Sequence, residues 1–245
     1  MPRFFVAEDN FSDGSLRIFG EDARHIARAL RMAEGDEIVA VSPEGTEYTA
    51  RLAKIRDDVC ECKILSAKKT SAEPPIDITV YMAYPKGDKM ETVVQKAVEL
   101  GAKRIVPFIS SRCIKRPEGE KSKKQTERLS RIAEEAAKQC GRGVIPTVAA
   151  PVSFKEAVEE ARNADLPLFC YEGEETLSLK RALDGHAGSK SVSVTVGSEG
   201  GFSPEEAEYA RNSGLISVSL GPRILRCETA PSYVLSSLSF FFELS

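Results

Sequence analysis

The sequence predicts an α/β fold: a mostly parallel sheet with helices on both faces, preceded by a small N-terminal β-barrel. Three observations carry this reading. Residues 1–70 hold short strand-like runs at close spacing, punctuated by turn residues, which is the pattern of a small barrel. Beyond about residue 73, strand-like and helix-like stretches alternate, and that alternation calls for parallel strands joined by helical crossovers. Near the C-terminal end two strand–glycine turn–helix units follow one another, and in such sheets ligands bind at the carboxyl ends of the strands.

In the N-terminal part, strands are expected over 3–6, 16–19, 36–41, 47–52 and 59–65. One helix interrupts them, with Ala23, Ile26, Ala27 and Leu30 at i, i+3, i+4 and i+7 as a buried stripe. Arg24, Arg28 and Arg31 lie on the other side with His25 beside them. Such a row of guanidiniums matches phosphate oxygens, although a merely solvated helix face has the same composition. The polar stretch 66–75, ending in Pro74-Pro75, reads as a linker and divides the chain into 1–72 and 73–245.

The second part opens with a strand over 76–83. Asp88 then starts a helix that buries Met90, Val93, Val94, Ala97 and Val98 and stops at Gly101. A strand at 104–109 and a helix at 125–139 follow, the latter with Leu129, Ile132, Ala133 and Ala136 inward and Gly141 as its stop. The intervening 110–124 is rich in lysine and arginine and is expected to be a mobile basic loop. A helix at 154–162, a strand at 166–171, strands at 191–196 and 216–220, and a helix from Thr229 complete the alternation. The stretch 233–244 is apolar on nearly all sides, so it needs burial all round, either against the sheet and a second subunit or wholly within the monomer, and a homodimer is expected.

Totals bound the function. The net charge is −3, which excludes a uniformly basic coat but not local basic patches. Six cysteines have no zinc-ligand spacing, only His25 and His186 are present, and no metal site is expected. Met1-Pro2-Arg3-Phe4-Phe5 lacks a signal-peptide core and no apolar run reaches membrane-spanning length, so a soluble cytoplasmic protein is expected.

The glycine loops are the candidate site. In the first, Val196-Gly197-Ser198-Glu199-Gly200-Gly201-Phe202 leads to Ser203, which can cap a helix that has Pro204 at its first position and Glu206 closing a capping box. The second is Leu220-Gly221-Pro222-Arg223-Ile224-Leu225-Arg226-Cys227-Glu228-Thr229-Ala230. Neither is a P-loop or a dinucleotide fingerprint. Glu199 would repel a pyrophosphate, whereas Ile224 and Leu225 can wall a flat base. A ligand with an adenine, a ribose and a cationic centre fits these groups better than a nucleoside triphosphate. Glycine loops also occur as plain tight turns. Tyr171-Glu172-Gly173 belongs at the same sheet end.

These two loops resemble the signature loops of the RsmE family, the uridine-N3 methyltransferases of 16S ribosomal RNA in the SPOUT class. Further blocks agree in order: Met1-Pro2-Arg3-Phe4-Phe5, His25 with Leu30-Arg31, Lys86-Gly87-Asp88-Lys89-Met90-Glu91, Glu99-Leu100-Gly101, and Glu134-Glu135-Ala136-Ala137-Lys138-Gln139-Cys140-Gly141-Arg142. Ser198 stands where the family more usually has proline, Cys140 where serine is common, and Ser110-Ser111-Arg112-Cys113 departs from an acidic version.

The resemblance implies a PUA-like barrel that binds RNA and a C-terminal domain with a trefoil knot that binds S-adenosylmethionine and dimerises. On it, Tyr171, Gly197, Glu199, Gly200, Gly201, Leu220, Gly221, Ile224, Leu225, Thr229 and Ala230 are expected to hold the cofactor. Arg226 is the candidate for stabilising charge on the uracil, and Glu228 for orienting Arg226 or taking the proton. Arg3, Arg24, His25, Arg28, Arg31, Lys86, Arg112, Lys115 and Arg142 are expected to bind ribosomal RNA. Two other readings stay open on the sequence alone: a non-catalytic RNA-binding module, and a small-molecule α/β enzyme using the glycine loop.

Overall fold

The computed structural model describes residues 1–56, 58–171 and 177–244. Its contacts group into two compact units, Met1–Glu73 with Ala137–Ile145, and Pro74–Ala136 with Pro146–Ser245.

The first unit contains β1 (Arg3–Phe5), β2 (Phe11–Ser12), β3 (Ser15–Phe19), β4 (Glu37–Val41), β5 (Thr46–Ile55) and β6 (Val59–Lys69). They form one sheet in the order β1-β4-β5-β6-β3-β2, parallel between β1 and β4 and antiparallel elsewhere. Buried side chains alternate along the strands: Leu16 and Ile18, Ile38 and Ala40, Ala50 and Leu52, Cys60 and Cys62. With Phe4 and Ile26 they make a single core, so the two cysteines are packing residues. Burial pushes the Cys62 thiol up to about 12, which leaves it protonated and inert. β6 runs four residues into the expected linker, because Ser66–Lys69 pair with Thr46–Thr49 of β5.

Helix α1 (Gly20–Arg24) passes into a wider turn, His25–Ala29, in which the Leu30 amide donates to the His25 carbonyl five residues back. That wide turn rotates later residues off the 3.6-residue stripe. Ala23 and Ile26 are fully buried as expected, but Ala27 is only half-buried and Leu30 is 41% exposed.

The second unit contains β7 (Asp77–Ala83), α2 (Lys89–Glu99), β8 (Arg104–Ile109), α3 (Gly119–Cys140), β9 (Thr147–Val148), β10 (Val152–Ser153) and α4 (Phe154–Ala161). Next come β11 (Leu166–Cys170), β12 (Leu177–Ser178), α5 (Leu179–Asp184), β13 (Ser191–Val196), α6 (Pro204–Asn212), β14 (Ile216–Ser219) and α7 (Thr229–Phe242). α3 continues past the second unit, its last turn belonging to the first. The strand order is β10-β8-β7-β13-β11-β14-β12, β9 also pairs with β8, and every pairing is parallel. β13 therefore lies between β7 and β11, and β14 lies beyond β11. This order brings the carboxyl ends of β7, β13, β11 and β14 to one edge, where a doubly wound sheet binds its ligands.

α3 begins six residues before the expected 125, so part of the expected loop is helical. Glu120, Lys121, Lys123 and Lys124 there are good helix formers, which polarity alone does not separate from loop residues. The remaining segment is stitched rather than loose: the Arg116 guanidinium donates to the carbonyls of Ser110, Ser111 and Cys113. On α7, Val234, Leu235 and Leu238 are buried, whereas Phe240 is 69% exposed.

Candidate active site

The two glycine loops leave the carboxyl ends of β13 and β14, the strands on either side of β11 in the second unit. After β13 the chain turns tightly: the Gly201 amide donates to the Ser198 carbonyl at 2.9 Å, and Gly201 takes φ +63°. Gly197 leaves little room for a side chain, since a Cβ there would sit 3.1 Å from the Gly201 Cα and 3.2 Å from the Phe202 ring. Phe202 anchors the turn among Phe169, Phe154 and Phe108, with ring centroids 4.4, 5.8 and 6.3 Å away. Ser203 and Glu206 then close the predicted capping box at the start of α6, with Pro204 in its first turn. Glu206 also accepts from the Ser111 amide at 2.7 Å, and Arg112 donates to the Gly200 carbonyl at 2.9 Å. The basic segment after β8 is thereby fastened to the glycine loop.

The second loop turns at Gly221, φ +102°, and ends where the Arg226 carbonyl accepts the Thr229 and Ala230 amides that start α7. Between the loops lies a cavity of about 620 Å³. Of the expected cofactor residues, Tyr171, Gly197, Glu199, Gly201, Leu220, Ile224, Leu225 and Ala230 line it. Gly200, Gly221 and Thr229 belong to the same loops but are not on the wall. Arg226 lines the cavity, is exposed, and has no ion-pair partner among the described residues. Of Tyr171-Glu172-Gly173, Glu172 and Gly173 lie outside the described residues.

Charge in the pocket is arranged around a residue that sequence reasoning left out of the site. Lys89 Nζ lies 2.9 Å from Glu199 and 3.4 Å from Glu228. Partial burial tends to raise the Glu199 carboxyl, but bonds from Lys89 and from backbone amides outweigh it and hold Glu199 below the usual range. Glu228 is also held low, chiefly by its own backbone amide, against partial burial and with help from Cys227 and Lys89. The Glu228 carboxylate accepts from the Cys227 thiol at 3.3 Å, and burial, with that bond, pushes Cys227 up to about 12. Among the described residues the Glu228 side chain thus meets Lys89 and Cys227, not Arg226. Ser198, Arg223 and Val218 are further wall residues outside the expected set. The Ser198 hydroxyl is buried with no hydrogen-bond partner among the described residues, a signal visible only in three dimensions.

The expected RNA contacts divide. Arg24, His25, Arg28 and Arg31 are exposed in the first unit, and the Lys86 side chain is exposed near the pocket. Arg112 and Lys115 are engaged locally, Lys115 donating to the Gly87 carbonyl and lying 5.5 Å from the Tyr84 ring centroid. Arg142 and Arg3 do not offer free charge. Arg142 is 2% exposed and grips Glu73 in a fork at 2.7 and 2.9 Å. Arg3 donates to Glu47 and to the Arg142 carbonyl. Both are internal struts, because burying a guanidinium requires a carboxylate beside it.

Comparison with known proteins defines the class. Residues 72–239 match the RNA methyltransferase domain model and residues 19–65 the RNA methyltransferase PUA domain model. The chain is 34% identical to ribosomal RNA small subunit methyltransferase E of Bacillus subtilis, over 94% of this chain and 91% of that protein. It is also 34% identical to the Aquifex aeolicus protein of that name, over 93% and 96%. A crystal structure of the Neisseria gonorrhoeae enzyme of that name, bound to S-adenosyl methionine, superposes with a TM-score of 0.88 at 32% identity, covering 99% of this chain and 98% of that one. The chain belongs to the ribosomal RNA small subunit methyltransferase E family. Among the described residues, no helix is long and apolar enough to cross a membrane.

Proposed function

We propose that this chain methylates N3 of a uridine in the 16S RNA of the small ribosomal subunit, with S-adenosylmethionine as donor. The observation that carries this reading is the one cavity walled by both glycine loops at the carboxyl edge of the parallel sheet. The residues fit the cofactor. Val218, Leu220, Ile224 and Leu225 offer an apolar wall for an adenine. The unpartnered Ser198 hydroxyl can meet a polar edge of the cofactor.

S-adenosylmethionine supplies, when bound, a methyl carbon on a sulfonium and a neutral leaving group. What remains for the protein is to aim the uracil, exclude water and manage the N3 proton. Arg226 stabilises the negative charge that develops on the uracil oxygens as that proton passes to solvent water ahead of methyl transfer. Glu228, held low by its neighbours, binds a proton weakly; its main work is to fix the loop that carries Arg226. A target uridine must be turned out of its stack to enter the cavity.

Residues 1–72 serve as the PUA-like RNA-binding module, using Arg24, His25, Arg28 and Arg31, and 73–245 as the knotted methyltransferase domain. α7, with Phe240 exposed, supports a homodimer, and a cytoplasmic location follows from the substrate.

Two measurements test the proposal. Calorimetry should show one S-adenosylmethionine site per chain, and well-folded protein with no binding would sink it. Mass spectrometry of small-subunit RNA from a strain lacking the gene should show one N3-methyluridine missing. Gly197→Ala should weaken cofactor binding about tenfold, since the added Cβ must displace the Gly201 backbone or the Phe202 ring and overpacking costs ~1–3 kcal/mol. Affinity equal to wild type would mean the turn relaxes around the added methyl.

A further inference from the structure

We propose that Lys89 is a positioning residue that locks the two pocket loops together through a single ammonium shared by Glu199 and Glu228. The inference rests on the pocket being an S-adenosylmethionine site. Lys89 Nζ is 2.9 Å from Glu199 Oε1 and 3.4 Å from Glu228 Oε2, so one group on α2 holds both the loop after β13 and the loop after β14. Those strands are not neighbours, because β11 separates them. Their separate ladders to β11 fix where the two strands end, and the loops beyond those ends lie outside the ladders.

The location of Lys89 speaks against a merely local role. It is the first residue of α2, where the helix dipole disfavours a cation. Asp88, at the N-cap, makes no side-chain capping bond that would answer that charge. The compensation comes from the loops instead: Glu199 takes the ammonium and also accepts the Lys86 amide at 3.2 and 3.3 Å. Removing the ammonium would leave two carboxylates, each within 3.4 Å of the same point, to repel one another. The Cys227 thiol, which donates to Glu228, cannot replace the lost positive charge. All three charged side chains are partly open to solvent, so the bridge adds little to folding stability. Its effect falls on the spacing of the cavity walls that Glu199 and the 224–227 segment provide.

The test uses the full chain. Lys89→Met should bind S-adenosylmethionine about tenfold more weakly by calorimetry, a change of ~1.4 kcal/mol. Its thermal midpoint should stay within about 2 °C of wild type, as expected for an exposed pair. Lys89→Arg, which keeps a charge able to reach both carboxylates, should recover most of the affinity. Wild-type affinity in Lys89→Met, or equal losses in the two variants, would overturn the bridge. If Lys89→Met unfolds, Glu228→Gln breaks the same bridge from the other loop, and undiminished binding there would overturn it equally. Wild-type protein that does not bind S-adenosylmethionine would instead remove the proposed function, and the bridge with it.

Discussion

Arg226→Ala is expected to slow methyl transfer by about a hundredfold to a thousandfold, while S-adenosylmethionine affinity changes by less than about threefold. The split follows from how Arg226 is held. Its carbonyl accepts the first two amides of α7, at 2.8 and 3.0 Å, so the backbone stays in place when the side chain is cut. Its guanidinium lines the cavity without an ion-pair partner among the described residues, so its charge is available to the substrate. Loss of the N3 proton spreads negative charge onto the uracil oxygens, and a guanidinium stabilises that charge most when water is excluded. Single-turnover methyl transfer reads the first quantity and calorimetry the second. Equal losses in both would make Arg226 a cofactor-binding residue. Glu228→Gln should cost less in rate, because a carboxylate held below its usual range is a poor proton acceptor.

Much of this pocket was legible in the sequence, for a physical reason. Glycine, proline and capping residues act locally, so Gly201, Gly221 and the Ser203–Glu206 box could be read one loop at a time. What stayed hidden depends on strand order. Lys89 is 110 residues from Glu199 in sequence, and only the placement of β13 beside β7 makes them neighbours. Arg112 was read as a mobile RNA contact, yet it is tied to Gly200, because the same edge gathers the segment after β8. Periodicity failed where the backbone left the 3.6-residue repeat: the wide turn after α1 put Leu30 on the surface. The core of the first unit was readable through its two-residue alternation, and that alternation also placed Cys60 and Cys62 inside. Nothing local distinguishes a basic residue that faces RNA from one that is buried against a carboxylate, which is why Arg142 was misplaced.

Glu73→Ala should therefore damage folding, lowering stability by about 2–3 kcal/mol. The Arg142 side chain is 3% exposed, and Glu73 takes a two-pronged bond from it while also accepting the Gly143 and Val144 amides. Truncation to alanine strips a carboxylate from a buried guanidinium and frees two amide donors at once, and each loss is unfavourable. The figure is below the ~3–5 kcal/mol of a fully enclosed pair because Glu73 itself is 27% exposed, which lets water approach. Urea unfolding followed by circular dichroism measures it. The sharper check is the double variant Glu73→Ala/Arg142→Met, which removes the stranded charge as well and should be more stable than Glu73→Ala alone. A double variant less stable than the single one would show that Arg142 stabilises the turn after α3 through its other bonds, and that the carboxylate is secondary. In neither variant should S-adenosylmethionine affinity change beyond what partial unfolding explains, since Glu73 and Arg142 belong to the first unit and the cavity walls all belong to the second.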